Sequence, residues 1–256
     1  MSDWFRRTQV CETCAVVFDM DGVLIDSHPA HLAAWREFLA AQDIHASDRD
    51  LSFVLEGRTR SEILRHFLGE LSDAEIAEYG RRKDEIFRGM ESDIQPFPGV
   101  LAFLTQLEHL GVRKAVATSA SEIRTAATIE RMGLGGYFDA VVTSADVVAG
   151  KPHPHVYQLA CERMKISPAK SLAFDDAPSG VQSARSAGLR CIGVSNNGLS
   201  EVLLGAGAES VIPTFLGLGM EILAPKSSPL ARIAVDNSKI PIEITNLPAT
   251  TSNHRK

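Results

Sequence analysis

Ala15-Val16-Val17-Phe18-Asp19-Met20-Asp21-Gly22 is the stretch on which the reading of this chain turns. Four apolar residues run straight into two carboxylates two positions apart, so the acids sit where a buried strand opens into a loop. In open α/β sheets, ligands bind at the carboxyl ends of the strands. Acids held that close repel each other unless a cation or a proton compensates. The pattern reads as a hard-metal site with a nucleophile and an acid/base group side by side. The plainer alternative is a strand followed by an acidic turn, since Asp-x-Asp-Gly is a short motif. What surrounds it weighs against that alternative.

Downstream, His28 to Met90 is helical in pattern. Leu32, Trp35, Phe38 and Leu39 recur at helical spacing, as do Ile63, Leu64, Phe67 and Leu68. Ser72-Asp73-Ala74-Glu75 has the form of a capping box that opens a third long helix. Pro96-Phe97-Pro98-Gly99 marks a boundary. Beyond it the pattern alternates. Helices are predicted at Val100–Leu110, Ile123–Met132, His155–Met164 and Gly180–Ala187. Strands are predicted at Ala115–Ala117, Phe138–Thr143, Ser171–Phe174, Arg190–Val194 and Ser210–Ile212. This predicts an α/β fold: a doubly wound parallel sheet covered on both faces, with an inserted all-helical segment. The expected division is a catalytic core of residues 1–27 and 96–224, a helical cap of 28–95 and a weakly ordered tail of 225–256. Ile240–Ile244 is the one place in that tail where a strand is expected.

Composition narrows the class. The chain has 256 residues, 45% hydrophobic and 23% charged, which is the balance of a soluble globular protein. A net charge of −6 with no long basic block argues against nucleic acid. No apolar run approaches a membrane span, and residues 1–9 hold no apolar signal core. A cytoplasmic location follows as the expectation, and a monomer is expected, with an oligomer left open. Cys11 and Cys14 form a lone C-x-x-C without a second ligand pair, and Cys161 and Cys191 lie far away; thiols are a better reading than zinc or redox chemistry.

The strand ends collect the polar residues: Asp19 and Asp21, Thr118 and Ser119, Lys151, Asp175 and Asp176. A parallel sheet gathers such ends on one edge. Four carboxylates need positive charge, and one divalent cation plus Lys151 supplies three charges against four. All-oxygen ligands with no His or Cys nearby favour Mg²⁺ over zinc. A phosphate would then be held by the cation and Lys151. Asp175-Asp176 as mere helix caps would not account for the pairing with Asp19 and Asp21.

Four segments in order resemble the motifs of the haloacid dehalogenase superfamily of phosphotransferases. They are Phe18-Asp19-Met20-Asp21-Gly22-Val23-Leu24, Ala117-Thr118-Ser119-Ala120-Ser121, Lys151-Pro152-His153-Pro154 and Phe174-Asp175-Asp176-Ala177-Pro178-Ser179-Gly180. The resemblance covers about residues 12–224. It implies that Asp19 attacks phosphorus and forms an aspartyl-phosphate, and that Asp21 is the acid/base. It implies Mg²⁺ on Asp19, the backbone carbonyl of Asp21 and Asp176, with Asp175 either on the cation or one step behind. Ser119 and Lys151 would hold phosphoryl oxygens, Thr118 being the rival for the hydroxyl.

Within the superfamily the chain is most similar to the β-phosphoglucomutase-like group. Asp26-Ser27-His28-Pro29-Ala30-His31, Gly57-Arg58-Thr59-Arg60 and Arg82-Lys83 carry that likeness. It implies that His31 couples cap closure to the acid/base and that Arg60, Lys83 and Ser121 bear on the substrate. The alternative is an ordinary cap histidine and solvated helix charges. Two departures matter. Glu122 stands where mutases of the group usually carry Lys, with Arg124 a candidate substitute if it reaches. Asp175 stands where they usually carry Glu. Both lean toward a phosphatase acting on a small sugar or polyol phosphate. β-Phosphoglucomutase is the alternative, and a phosphoaspartyl signalling module a more distant one.

Overall fold

The computed structural model describes residues 12–13, 15–55, 59–223, 230–235 and 238–245, with side chains over 15–55 and 59–218. Cys11, Cys14, Gly57 and Arg58 therefore lie outside the described residues. In chain order the elements are β1 (Glu12–Thr13), β2 (Ala15–Phe18), α1 (His28–Ala40), α2 (Asp48–Leu51), α3 (Arg60–Leu68) and α4 (Asp73–Met90). Then come α5 (Val100–His109), β3 (Arg113–Ala117), α6 (Glu122–Arg131), β4 (Ala140–Val142), α7 (His155–Met164) and β5 (Ser171–Asp175). The chain continues through α8 (Pro178–Ser186), β6 (Arg190–Val194), α9 (Ser200–Gly205), β7 (Ser210–Ile212), β8 (Gly219–Leu223), β9 (Leu230–Val235) and β10 (Ser238–Thr245).

The main sheet has six strands in the order β4-β3-β2-β5-β6-β7, all parallel. The run Ala-Val-Val-Phe explains why β2 lies in the middle: all four residues are fully buried, which only a strand covered on both faces allows. Alternation splits its side chains between two layers. Val16 and Phe18 face α5 and join Phe103, Leu104, Phe174 and Phe215, with Phe18 stacked on Phe174 at 5.5 Å. Ala15 and Val17 face the other way, with Val156, Tyr157, Ala160 and Met164 of α7 and Val181 and Ala184 of α8. Small residues on this second face let α7 and α8 approach closely. Each large side chain so buried contributes roughly 1.5–3 kcal/mol.

β3 and β5 flank β2 on opposite sides, although β2 precedes both in sequence. The connections leave β2 in opposite directions, and a crevice opens at its carboxyl end. Asp19 lies at that point, and its N–H continues the ladder to the Phe174 carbonyl at 2.9 Å.

Between β2 and α5 the described elements are all helices, joined by loops, apart from bridges at Ile25. Trp35, Phe38, Leu39, Leu51, Ile63 and Leu64 form a separate apolar cluster there. The capping box read at Ser72 is present: Ser72 Oγ accepts the Glu75 N–H and Glu75 accepts the Ser72 N–H, worth about 1 kcal/mol. A second one, Thr59 with Glu62, opens α3. No described helix is long and apolar enough to cross a membrane.

The carboxy-terminal segment differs from expectation. β8, β9 and β10 form an antiparallel sheet, and β1 adds to β10 in parallel. The expected Ile240–Ile244 strand lies within β10, but β9 falls where a weakly ordered chain was expected. Leu230, Arg232 and Ala234 alternate with Ala231, Ile233 and Val235 without a polar face, so period-2 reading misses it.

Candidate active site

Lys151 is the centre of the charged constellation. Its Nζ donates to Asp19 Oδ1 at 2.7 Å and to Asp175 Oδ2 at 2.8 Å. Asp175 Oδ2 also accepts from Tyr157 Oη at 2.5 Å, and Asp175 Oδ1 accepts the Ala177 N–H at 3.0 Å. Asp176 Oδ2 is 2.7 Å from His28 Nε2. Asp19, Asp175 and Asp176 each offer an oxygen, and these oxygens all lie within 4.8 Å of one another. Strand ends 132 and 24 residues from Lys151 thus meet on one rim.

Electrostatics say that this rim lacks positive charge. Burial pushes the Asp19 carboxyl well above its usual range; Lys151 opposes this, while Asp175 and Asp176 add to it. Burial likewise raises Asp176, against the opposing hydrogen bond and charge of His28. Burial would lower Lys151, but Asp175 and Asp19 more than offset it and keep it protonated. Asp19 and Asp176, two hard oxygen donors pushed toward neutrality by burial, with Asp175 beside them, fit a small divalent cation of the Mg²⁺ type. One expectation needs correcting: a histidine is nearby after all. His28 reaches this rim because α1 starts on it, but it is spent on Asp176.

Asp21 faces a different set. Arg124 grips it with both nitrogens, Nη1 to Oδ2 at 2.8 Å and Nη2 to Oδ1 at 2.6 Å. Ser27 Oγ donates to Oδ1 at 2.6 Å, and His31 Nε2 lies 3.6 Å away. Burial would raise this carboxyl, but Arg124 and the His31 hydrogen bond hold it well below its usual range. The Arg124 guanidinium stacks 4.7 Å over Phe87, and its Nε lies 3.6 Å from Glu91 Oε1. Sequence left open whether Arg124 could reach a distal phosphate; its fork is occupied by Asp21 instead.

His31 Nδ1 lies 3.0 Å from Lys83 Nζ, and its ring stacks on Phe87 at 4.2 Å. Burial takes His31 down to about 4, the Asp21 hydrogen bond opposing and the Lys83 charge adding to the fall. Burial also takes Lys83 down to about 8. Lys83 is thus no solvated helix charge: it is 5% exposed, between the rings of Trp35 and Phe87. Arg60 is half-exposed and donates to Asp84 Oδ2 at 2.7 Å.

Ser119 is exposed, whereas Thr118 is buried with its Oγ1 accepting the Ala120 N–H at 3.1 Å. Ser121 caps α6 by accepting the Arg124 N–H. Apart from Ser27 and Tyr157, which lie behind it, these residues line one cleft of about 1120 Å³ between the helical segment and the sheet edge. Sequence reasoning assigned nothing to Ser27, His28 or Tyr157. Ser27 and His28 carried a weak signal, lying between Asp21 and His31; Tyr157 carried none.

The family model for haloacid dehalogenase-like hydrolases matches residues 14–188. The chain is 33% identical to the fructose-1-phosphate phosphatase YqaB of Escherichia coli, over 70% of this chain and 95% of that protein. It is 31% identical to the β-phosphoglucomutase of Bacillus subtilis, over 82% of this chain and 93% of that one. A crystal structure of a HAD hydrolase, family IA, variant 3, from Entamoeba histolytica superposes with a TM-score of 0.71 at 29% identity, covering 78% of this chain and 93% of that one. Sheet order, acidic rim and matched sequence agree, and this chain belongs to the haloacid dehalogenase-like hydrolases, among their β-phosphoglucomutase-like members.

Proposed function

We propose that the protein is a Mg²⁺-dependent phosphatase that hydrolyses a small sugar or polyol monophosphate through an aspartyl-phosphate on Asp19. The observation that carries this reading is Lys151 bridging Asp19 and Asp175 beside Asp176, with Asp21 across the same cleft. Residues 28–95 act as a cap over a core of 1–27 and 96–224.

An Asp19 oxygen forms a bond to phosphorus as the bond to the leaving oxygen breaks, and Asp21 gives that oxygen its proton. Water then attacks phosphorus, Asp21 takes its proton, and Asp19 is released with inorganic phosphate. Lys151 and Ser119 hold phosphoryl oxygens during both steps. Held by Asp19, Asp176 and the Asp21 carbonyl, Mg²⁺ would supply charge that neutralises the phosphoryl oxygens. As it stands, Asp21 is ionised, the form that accepts a proton from water. Donation requires the Arg124 fork to loosen.

The leaving group meets the cap side of the cleft. There Arg60 pairs with Asp84, Arg124 with Asp21, His31 is neutral, and Lys83 is buried against His31 and Phe87. In sequence, Glu122 stands where mutases of the group usually carry Lys, so that position offers a second phosphate no positive charge. A neutral polyol suits these surroundings better than a bisphosphate, which favours hydrolysis over mutase turnover. Incubation with β-glucose 1-phosphate and a bisphosphate primer tests this. Release of inorganic phosphate without glucose 6-phosphate is expected; accumulation of the 6-phosphate would overturn the reading in favour of the mutase.

A further inference from the structure

Tyr157 sits in the first turns of α7, its side chain fully buried on the face of the sheet away from α5. A buried hydroxyl needs a partner, and a backbone carbonyl would serve. This one instead donates to Asp175 Oδ2, the oxygen that also receives Lys151. The ring lies 5.1 Å from Lys151 Nζ, so Tyr157 touches both members of the pair. Its hydroxyl stays protonated: burial, then the charges of Asp175 and Asp19, push it well above its usual value.

Asp175 has no room to turn. A Cβ on Gly180 would fall 2.0 Å from its carboxylate oxygens, so α8 lies directly on the carboxylate. Oδ1 takes the Ala177 N–H, and Oδ2 takes Tyr157 and Lys151. Three donors therefore commit this carboxylate to the protein. The line Tyr157–Asp175–Lys151–Asp19 runs through hydrogen bonds of 2.5, 2.8 and 2.7 Å.

We propose that Tyr157 is a positioning residue which, by donating to Asp175, fixes Lys151 against the attacking oxygen of Asp19. Asp175 thereby serves the lysine rather than the cation. Without the hydroxyl, Oδ2 keeps an open lone pair next to Lys151. The ammonium then shifts toward Asp175, away from Asp19 and the phosphoryl oxygens. The inference rests on the roles proposed above for Asp19 and Lys151.

Tyr157→Phe removes one oxygen and keeps the ring. Phosphate release from a sugar phosphate, Mg²⁺ half-saturation and the thermal midpoint of the metal-free protein are measured beside the parent. A fall in kcat of about tenfold is expected, the usual scale for losing a partner of a site ligand, with KM, half-saturation and midpoint near those of the parent. Tyr157→Met, also without the hydroxyl, should lose kcat to the same degree. A parent-like kcat overturns the inference, whether or not the midpoint falls. So does a kcat loss that tracks a rise in Mg²⁺ half-saturation, since Asp175 would then be serving the cation. Asp19→Asn separates the two readings. If it keeps turnover, the proposed function fails; if it is inactive while Tyr157→Phe is parent-like, only the positioning role fails.

Discussion

Replacing Lys83 by Met should stabilise this protein at neutral pH, and the gain should fade as pH rises. Lys83 is a charged group wedged between Trp35, Phe87 and His31, and burial takes it from 10.5 to about 8. At pH 7 it is still protonated, so folding carries the cost of burying that charge. The gap between the two values corresponds to about 3 kcal/mol. Met keeps most of the apolar stem and removes the charge. His31 loses a partner, which gives back about 1 kcal/mol. A net gain of about 2 kcal/mol is expected, or about 5 °C in thermal midpoint for a chain of this size.

The pH dependence carries the sharper test. Between pH 8 and 10.5 the unfolded chain holds the lysine proton and the folded chain does not, so the parent gains stability with rising pH. Methionine does not titrate. Urea unfolding of both proteins at pH 7, 9 and 10.5 should show the variant's advantage whole at pH 7 and gone or slightly reversed at 10.5, where only the lost His31 contact remains. A variant less stable than the parent at pH 7, or an advantage constant across the series, would refute the argument.

Other outcomes follow from the same geometry. Asp21→Asn should slow hydrolysis of alkyl phosphates far more than of aryl phosphates, whose leaving groups need no proton; equal losses on both would remove Asp21 from that role. Arg124→Met should destabilise the protein by about 2 kcal/mol at pH 7, by stripping a partly buried carboxylate of its partner. Asp21 titrates well below its usual range when folded, so this difference should shrink as pH falls below about 4. Denaturation curves at pH 7 and 3.5 check both points. Mg²⁺ at 100 times its dissociation constant should stabilise the parent by about 2.7 kcal/mol, and should do so much less in Asp176→Asn. Thermal midpoints with and without the ion, no substrate present, decide this.

Much of the fold was legible because its signals are local. Ala15–Phe18 is apolar throughout since both faces of β2 are covered, and the acids follow at once because the loop begins there. The helical segment declared itself by period and by Ser72 with Glu75. β4 is shorter than read, Ala140–Val142, since Phe138 packs its ring edge-on to Phe18 from a loop and so mimics strand hydrophobicity. α9 went unread: a six-residue helix with one fully buried residue, Leu203, has too few positions to display a period.

Sequence by itself determined which residues could meet: strands alternating with helices turn every strand end toward one rim, so Asp19, Asp21, Lys151, Asp175 and Asp176 had to converge there. Tertiary structure alone decided how they pair. Arg124 lies 103 residues from the carboxylate it grips, and His28 lies 148 from Asp176. Tyr157 reads in the sequence as one more core aromatic. A side chain's direction depends on the packing of helices distant in sequence, and no local period or cap records it.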